Sequence, residues 1–416
     1  MSTTEPPLQL LQAPYFKHLS EVVAQLRRSP QLMLYLESAS YRHFACTLCG
    51  DCCRQPWEIK VSEAYYRRWA DVFAQEASGR FKEAMVLRKK PDKYAFADFR
   101  RQPGSYACVF LEPDQSCWIH THHGEAALSE VCRSYPRSHK IVGHRYESRL
   151  LMHSCEAVPE QNARYPELLY RLQPVTHFAS QQHETASDGF PGRYETWLLL
   201  GLLYDLLEQP LPVSVLARWG QAQSVLQEIY HLGLNRLQAS HLHLMYEQRM
   251  QSLSLTGQPG SPQDQQTALK WLSSYVSAHP GLQSWLRQLR PDQLPPPLSA
   301  ISAERFNHHL TLYLRNRLLN LPYLDHFAGS LNLWQHCFLI TLQLCSLQGL
   351  MLYYLRTEAE LSDDHCYRAI QFAGRALEQR TAFKEKAWIE SLSPLACIEG
   401  IRILLSLDYG QAGSPA

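Results

Sequence analysis

The sequence lacks a surplus of either charge. Its 40 lysines and arginines face 39 aspartates and glutamates, a formal net charge of +1. No global field therefore draws the chain to nucleic acid or to an anionic membrane, and neither is expected as a partner. Lysine is scarce, and the basic residues are mostly arginine, which reads as a bias of lineage rather than function. The opening MSTTEPPLQL has neither the basic start nor the apolar run of a secretion signal, so a cytoplasmic setting is expected. Repeats of solenoid period are absent, and strand patterns are few. One long stretch lacks charge, Cys337 to Leu355, about the length that crosses a bilayer. It holds Thr341, Gln343, Ser346, Gln348 and Gly349, and its flanks show no basic asymmetry. A buried helix of an α domain is expected there, not a membrane span.

Cysteine is the residue present in a telling pattern. Cys46, Cys49, Cys52 and Cys53 are written C-x-x-C-x-x-C-C, and Cys108, Cys117, Cys132 and Cys155 follow. Eight of the 12 cysteines thus fall within about a quarter of the chain. A C-x-x-C step turns two thiolates toward one soft metal ion or cluster. In a reducing cytoplasm such a cluster binds metal more often than it forms disulfides, which are the alternative. Cys52 and Cys53 are adjacent, so their side chains diverge. One can complete a site with Cys46 and Cys49, and the other faces a second site or acts as an outer thiol. Four thiolates suit Zn2+ or a [4Fe–4S] cluster equally. Cys337, Cys345, Cys366 and Cys397 sit in apolar helical patterns and read as small buried hydrophobes.

At 416 residues and 47.9 kDa the chain is long enough for two or three domains. The expected class is mainly α, with an irregular cysteine-rich metal-binding domain followed by a multi-helical domain. Residues 1–45 are expected as an N-terminal helical segment, including Leu32, Leu34 and Leu36. The cysteine-cluster domain is expected over 46–160, broken by prolines and glycines, with short helices near Ser62–Gln75 and Glu125–Cys132. A linker over 161–195 precedes an α-helical domain over 196–416, with a second boundary near 256–266. Within it, helices are expected at Thr196–Glu208, Val213–His231, Arg236–Ser252, Gln266–Ser277, Ser302–Leu319, Leu333–Arg356, Asp363–Arg380 and Pro394–Leu407.

The string CTLCGDCCRQPW over 46–57 resembles the C-x-x-C-x-x-C-C zinc/iron-chelating family. The blocks after it resemble the flagellin lysine-N-methylase family. They are Cys108-Val-Phe-Leu, Ser116-Cys117-Trp-Ile-His120, Gly124 to Leu128-Ser129, Cys132 to Tyr135-Pro136-Arg137, Glu147-Ser-Arg-Leu-Leu and Ser154-Cys155-Glu156. The likeness spans about 110 residues, with a fainter echo in Asn307–Tyr323, which ends Leu321-Pro322-Tyr323.

This resemblance implies methylation of lysine side chains on a protein substrate, flagellin, with S-adenosylmethionine as donor and an iron–sulfur cluster on the motif cysteines. Two common designs for handling that donor are missing. No glycine-rich dinucleotide-type turn is present. Nor is there a C-x-x-x-C-x-x-C string, since no third cysteine follows Cys49 and Cys53 at that spacing. The candidate roles are Arg133 and Arg137 as bidentate holders of the donor's carboxylate, and Tyr135, His120 or Glu156 as the base that frees the lysine amine. Arg133 and Arg137 serve equally well as structural ion-pair partners. His122 and His123 complete an HTHH run of the kind usually solvated on loops. Trp57 and Trp118 are expected to shield the metal from water.

Overall fold

The computed structural model describes residues 6–76, 79–142, 146–175, 194–209, 214–251, 261–277, 279–290, 298–319, 332–358, 360–378 and 386–407. Most of the expected 161–195 linker, the Leu321-Pro322-Tyr323 ending and the first half of the 256–266 boundary lie outside them. The chain divides into two compact units. One comprises 1–43, 139–154 and 159–416, and the other comprises 44–138 with 155–158.

Strands run at Gln9–Leu10 (β1), Leu32–Ser38 (β2), Lys60–Val61 (β3), Met85–Leu87 (β4), Ala97–Phe99 (β5), Arg137–Val142 (β6), Tyr146–Leu151 (β7) and Leu168–Pro174 (β8). The first unit holds a five-stranded sheet ordered β1-β8-β2-β7-β6, with β2 parallel to β7 and antiparallel to β8. Leu34, Leu36, Tyr146, Leu150, Leu168 and Tyr170 enter the unit's main core. The alternate residues Tyr35, Glu37, Glu147, Arg149, Arg171 and Gln173 take the other face, as a period of two requires. They form a polar network. Tyr35 donates to Glu37, Arg42 Nε lies 2.6 Å from Glu37 Oε1, and Gln173 Nε2 donates to Glu147 at 2.8 Å. Arg149 and Arg171 stack on the Tyr35 ring at 5.2 and 4.4 Å.

The helix Tyr15–Arg28 buries Phe16, Leu19, Val22, Val23 and Leu26, an i, i+3, i+4 stripe. Pro14 precedes it and its own residues supply no side-chain cap. Asp205, from the helix Tyr194–Leu207, instead accepts the Tyr15 and Phe16 N–H groups at 2.7 and 2.9 Å. Gly201 permits the approach, because a Cβ there would lie 2.8 Å from the Phe16 Cα.

Helices follow at Val215–Leu232, Ala239–Gln251, Pro262–Tyr275, Pro280–Gln288, Ala300–Leu318, Leu333–Tyr354, Asp363–Phe372 and Pro394–Leu405. Ser214, Ser261, Ser299, Ser362 and Ser393 cap five of them through their side chains. Leu333–Tyr354 is the one helix among the described residues long and apolar enough to cross a membrane. It has 89% of its apolar window buried inside the protein, and Trp219 Nε1 donates to its Thr341 at 2.9 Å. It is a core helix, as its interior polar residues suggest.

A mainly α class stands, with corrections in detail. Leu32–Leu36 is not helical but the central strand β2, because its leucines alternate with Tyr35 and Glu37 across the sheet. The expected 161–195 linker begins with ordered structure, the helix Val158–Arg164 and β8. Asp363–Arg380 leaves α geometry after Phe372 for a π-helical turn at Ala373–Glu378.

Candidate metal centre

The second unit holds all eight cysteines of the pattern, none in a disulfide. Its frame is the three-stranded antiparallel sheet β3-β5-β4 with the helix Glu63–Gln75, which Ser62 caps. Phe73, Phe81, Phe99, Phe110 and Trp118 form its core. Phe81 packs on Phe110 and Trp118 with ring centroids at 4.7 and 4.6 Å.

The first four cysteines sit on a loop shaped by two left-handed residues, Leu48 at φ 58° and Gly50 at φ 66°. Only glycine fits at 50, since a Cβ would fall 2.1 Å from the Gln115 carbonyl oxygen and 2.7 Å from Leu111. A single 3₁₀ turn, Asp51–Arg54, then carries Cys52 and Cys53, and Cys53 N–H donates to Gly50 at 3.0 Å. Within that turn the Cys52 and Cys53 thiols stay close enough to hydrogen-bond each other.

Cys108 is pinned by its N–H to the Cys53 carbonyl at 2.7 Å. It opens a tight hairpin closed by the Leu111–Cys117 bridge. Cys117 begins the helix Trp118–His123, and Cys132 sits in the helix Glu130–Ser134, capped by Ser129. The chain then leaves for β6 and β7 and returns with Cys155 and Glu156.

Backbone amides face the sulfurs in a repeated pattern. Leu48 N–H donates to Cys46 Sγ at 3.4 Å. The amides of Phe110, Ile119 and Ala157, each two residues after its cysteine, likewise face Cys108, Cys117 and Cys155. Such N–H···S contacts favour thiolate over thiol and are the outer support of metal-bound cysteine.

Burial opposes them, joined by the neighbouring thiols. It pushes Cys108 up to about 11 and Cys155 to about 12, and it raises Cys132, Cys46 and Cys49. Cys53 keeps its proton by hydrogen bonding to Cys117 and Cys52, and the bond from Cys53 brings Cys117 down to about 7. Crowded thiols held protonated by their neighbours are the donor set that a divalent ion converts to thiolates, releasing protons. Arg101 adds a second sign of fit. Its Nη1 lies 3.5 Å from the Cys53 carbonyl oxygen, while its buried Nη2 has no hydrogen-bond partner. A four-thiolate site around a divalent ion carries net negative charge that such a donor offsets. The donor chemistry fits a soft metal or cluster. Among the described residues, however, no group of three or more His, Cys, Asp or Glu side chains is placed so that it could hold a metal ion.

The other candidates separate. Arg137 is committed locally, donating to the Phe44 carbonyl at 3.0 Å and stacking on its ring at 5.3 Å. Arg133 is exposed. Tyr135 is half-buried with its ring 5.2 Å from Trp57, and Trp118 lies within the aromatic core. Glu156 is an electrostatic and hydrogen-bonding neighbour of Cys49. The HTHH run is helical rather than a solvated loop. His123 lies 2.7 Å from Glu76 and His122 bonds the Trp118 carbonyl at 3.0 Å, while His120 offers its backbone amide to Cys117. Sequence reasoning missed Arg101 and Gly50. Gly50 was legible as the glycine within the C-x-x-C-x-x-C-C loop; Arg101 carried no signal.

A cysteine-rich module suited to chelating a soft metal is thus the class that site and frame define. Residues 45–156 match the CxxCxxCC family, described as "Putative zinc- or iron-chelating domain". Over 132 residues the chain is 26% identical to a flagellar biosynthetic protein FliU of Salmonella muenchen, covering 31% of this chain and 74% of that protein. It is 25% identical over 130 residues to a lysine-N-methylase of Salmonella choleraesuis and 24% to one of Salmonella typhimurium. In both cases 31% of each partner is covered. The chain therefore matches less than a third of the length of either lysine-N-methylase. No solved structure matches it. The family resemblance read from the sequence is supported over the cysteine-bearing region.

Proposed function

We propose that the chain is a cytoplasmic, metal-dependent protein lysine N-methyltransferase that uses S-adenosylmethionine and acts on a flagellin-like protein. The observation that carries this is a coincidence of extent. The segment that gathers the eight cysteines matches the zinc- or iron-chelating family model over residues 45–156, and a stretch of similar length, 130 residues, resembles proteins named lysine-N-methylase. S-adenosylmethionine, when bound, would supply a methyl group on a sulfonium: a neutral lysine amine would form the new N–C bond as the C–S bond breaks and S-adenosylhomocysteine leaves as a neutral thioether. A [4Fe–4S] cluster or Zn2+ on the motif thiolates is the metal of this reading.

The chain's own residues then have distinct tasks. Arg133, exposed beside Cys132, is the better holder of the donor carboxylate, because Arg137 already serves the Phe44 carbonyl. Among Tyr135, His120 and Glu156, the proposed base for the lysine ammonium is Glu156, supported by its position beside Cys49. Tyr135 stands near Trp57 as a wall of the same region.

The packing of four of the cysteines against an aromatic core favours a second reading, a non-enzymatic module whose metal only holds the fold while its helices bind a protein partner. Mass spectrometry of flagellin incubated with S-adenosylmethionine, with and without the protein, separates the two. Methyl increments on lysine are expected only with the protein. Their absence, from protein carrying its full metal complement, would overturn the methyltransferase reading and leave the module.

A further inference from the structure

The small sheet of the cysteine-bearing unit ends in an open edge. β4 lies outermost in the order β3-β5-β4, and among the described residues β5 is its one strand partner. The ladder between them runs from Ala84 to Arg88. Arg100 N–H donates to the Ala84 carbonyl at 2.8 Å, and Arg88 N–H to the Phe96 carbonyl at 3.1 Å. In antiparallel alternation those bonds turn Ala84, Val86 and Arg88 toward β5, so the Met85 and Leu87 N–H and C=O groups point outward. The side chains at this edge are apolar and open. Val86 is 51% exposed, Leu87 53%, and Tyr94, in the turn to β5, 52%.

A chain with almost no net charge concentrates lysine here. Lys82, Lys89, Lys90 and Lys93, four of its ten lysines, flank β4 and are exposed. The acids around them are taken by other groups. Arg88 holds Glu58 and Asp98 at 3.3 and 2.8 Å, Arg100 holds Glu83, and Asp92 accepts the Tyr94 and Ala95 N–H groups at 2.8 Å. Among the described residues no ion pair holds any of the four lysines. Protected sheet edges place charge or proline within the strand itself. Here the strand is Met-Val-Leu and the charge stands at its two ends, an arrangement that admits a strand and selects its sign. We propose that β4 adds an extended, acidic segment of a partner protein as a fourth strand. Its carboxylates meet Lys82, Lys89, Lys90 and Lys93, and its aliphatic side chains meet Val86 and Leu87. Such docking requires neither a metal nor methyl transfer.

The full chain, purified anaerobically, is titrated into a fluorescent peptide of alternating glutamate and valine, with anisotropy as the readout. Two control peptides alternate lysine with valine and glutamate with proline, the second matching the charge but unable to form a ladder. Binding is expected for the glutamate–valine peptide alone, weakening as salt rises, with slower hydrogen–deuterium exchange over Ala84–Arg88. Leu87→Pro removes an outward N–H, spares the β5 ladder and is expected to abolish binding. Lys89→Glu/Lys90→Glu/Lys93→Glu keeps the strand and is expected to weaken binding about tenfold. No binding of the glutamate–valine peptide overturns the proposal. Equal binding of the glutamate–proline peptide, or binding without protection of β4, overturns strand addition and leaves a basic patch. Protection of β4 that rises with protein concentration alone overturns the acidic partner and assigns the edge to a second copy of the chain.

Discussion

The two units use cysteine in opposite ways. In the larger unit, Cys337, Cys345, Cys366 and Cys397 are 0–2% exposed among leucines and aromatics, and burial alone pushes Cys397 up to about 12. In the smaller unit the motif thiols crowd one another, and four of them, Cys46, Cys108, Cys117 and Cys155, receive the backbone N–H group two residues on. The same side chain is a small hydrophobe in one setting and a charge-ready ligand in the other. What separates them is whether amide donors and other sulfurs surround the sulfur, more than how deeply it is buried.

The largest test of this contrast is Cys108→Ser/Cys132→Ser. If these two core-packed thiols hold a metal, the pair is expected to cost at least about 3 kcal/mol by chemical denaturation, because metal-binding free energy is folding free energy. Next comes Gly50→Ala, which forces a side chain into a left-handed φ against the Gln115 carbonyl. About 1–3 kcal/mol is expected, together with weaker metal retention by elemental analysis. Asp205→Ala leaves the first two amides of the helix Tyr15–Arg28 without their acceptor. It should cost about 1–2 kcal/mol and leave metal content unchanged. Cys397→Ala, on the other side of the comparison, should cost about 1 kcal/mol in thermal unfolding and again spare the metal. A metal loss in that variant would break the contrast.

The smallest effect is one of pH. Against the cost of burial, His139, Arg149 and Gln173 hold the Glu147 carboxyl below its ordinary range. That stabilisation is complete above the unfolded-state value and drains away as pH falls through the lower folded-state value. The melting temperature of the wild type should therefore fall more steeply on acidification below about pH 4.5 than that of Glu147→Gln.

Much of this fold is legible in the amino-acid sequence. The helices of the larger unit announced themselves through apolar periodicity, while caps such as Ser214 and Ser393 emerged only with the structure. The long uncharged helix betrayed its burial through Thr341 and Gln343. The sheet was harder to see. Met33 to Leu36 offers leucines that fit a helix as well as a strand, and the partners that settle the matter, Tyr146–Arg149 and Leu168–Pro174, lie more than 100 residues away. At the site, the eight clustered cysteines were legible, whereas the expected divergence at Cys52–Cys53 meets two thiols that hydrogen-bond each other. The packing of the eight was not, because it depends on which loops the aromatic core of Phe73, Phe81 and Phe110 draws in. The HTHH run misled in the same way, since Glu76 and the Trp118 carbonyl occupy two of its imidazoles.

The most direct measurement is differential alkylation of the anaerobically purified full chain, read by mass spectrometry before and after chelation alongside iron, sulfide and zinc analysis. A metal centre predicts bound metal, with the eight motif cysteines protected until chelator removes it and the other four protected throughout by burial. Metal-free protein, with motif cysteines that react alike with and without chelator, would contradict it.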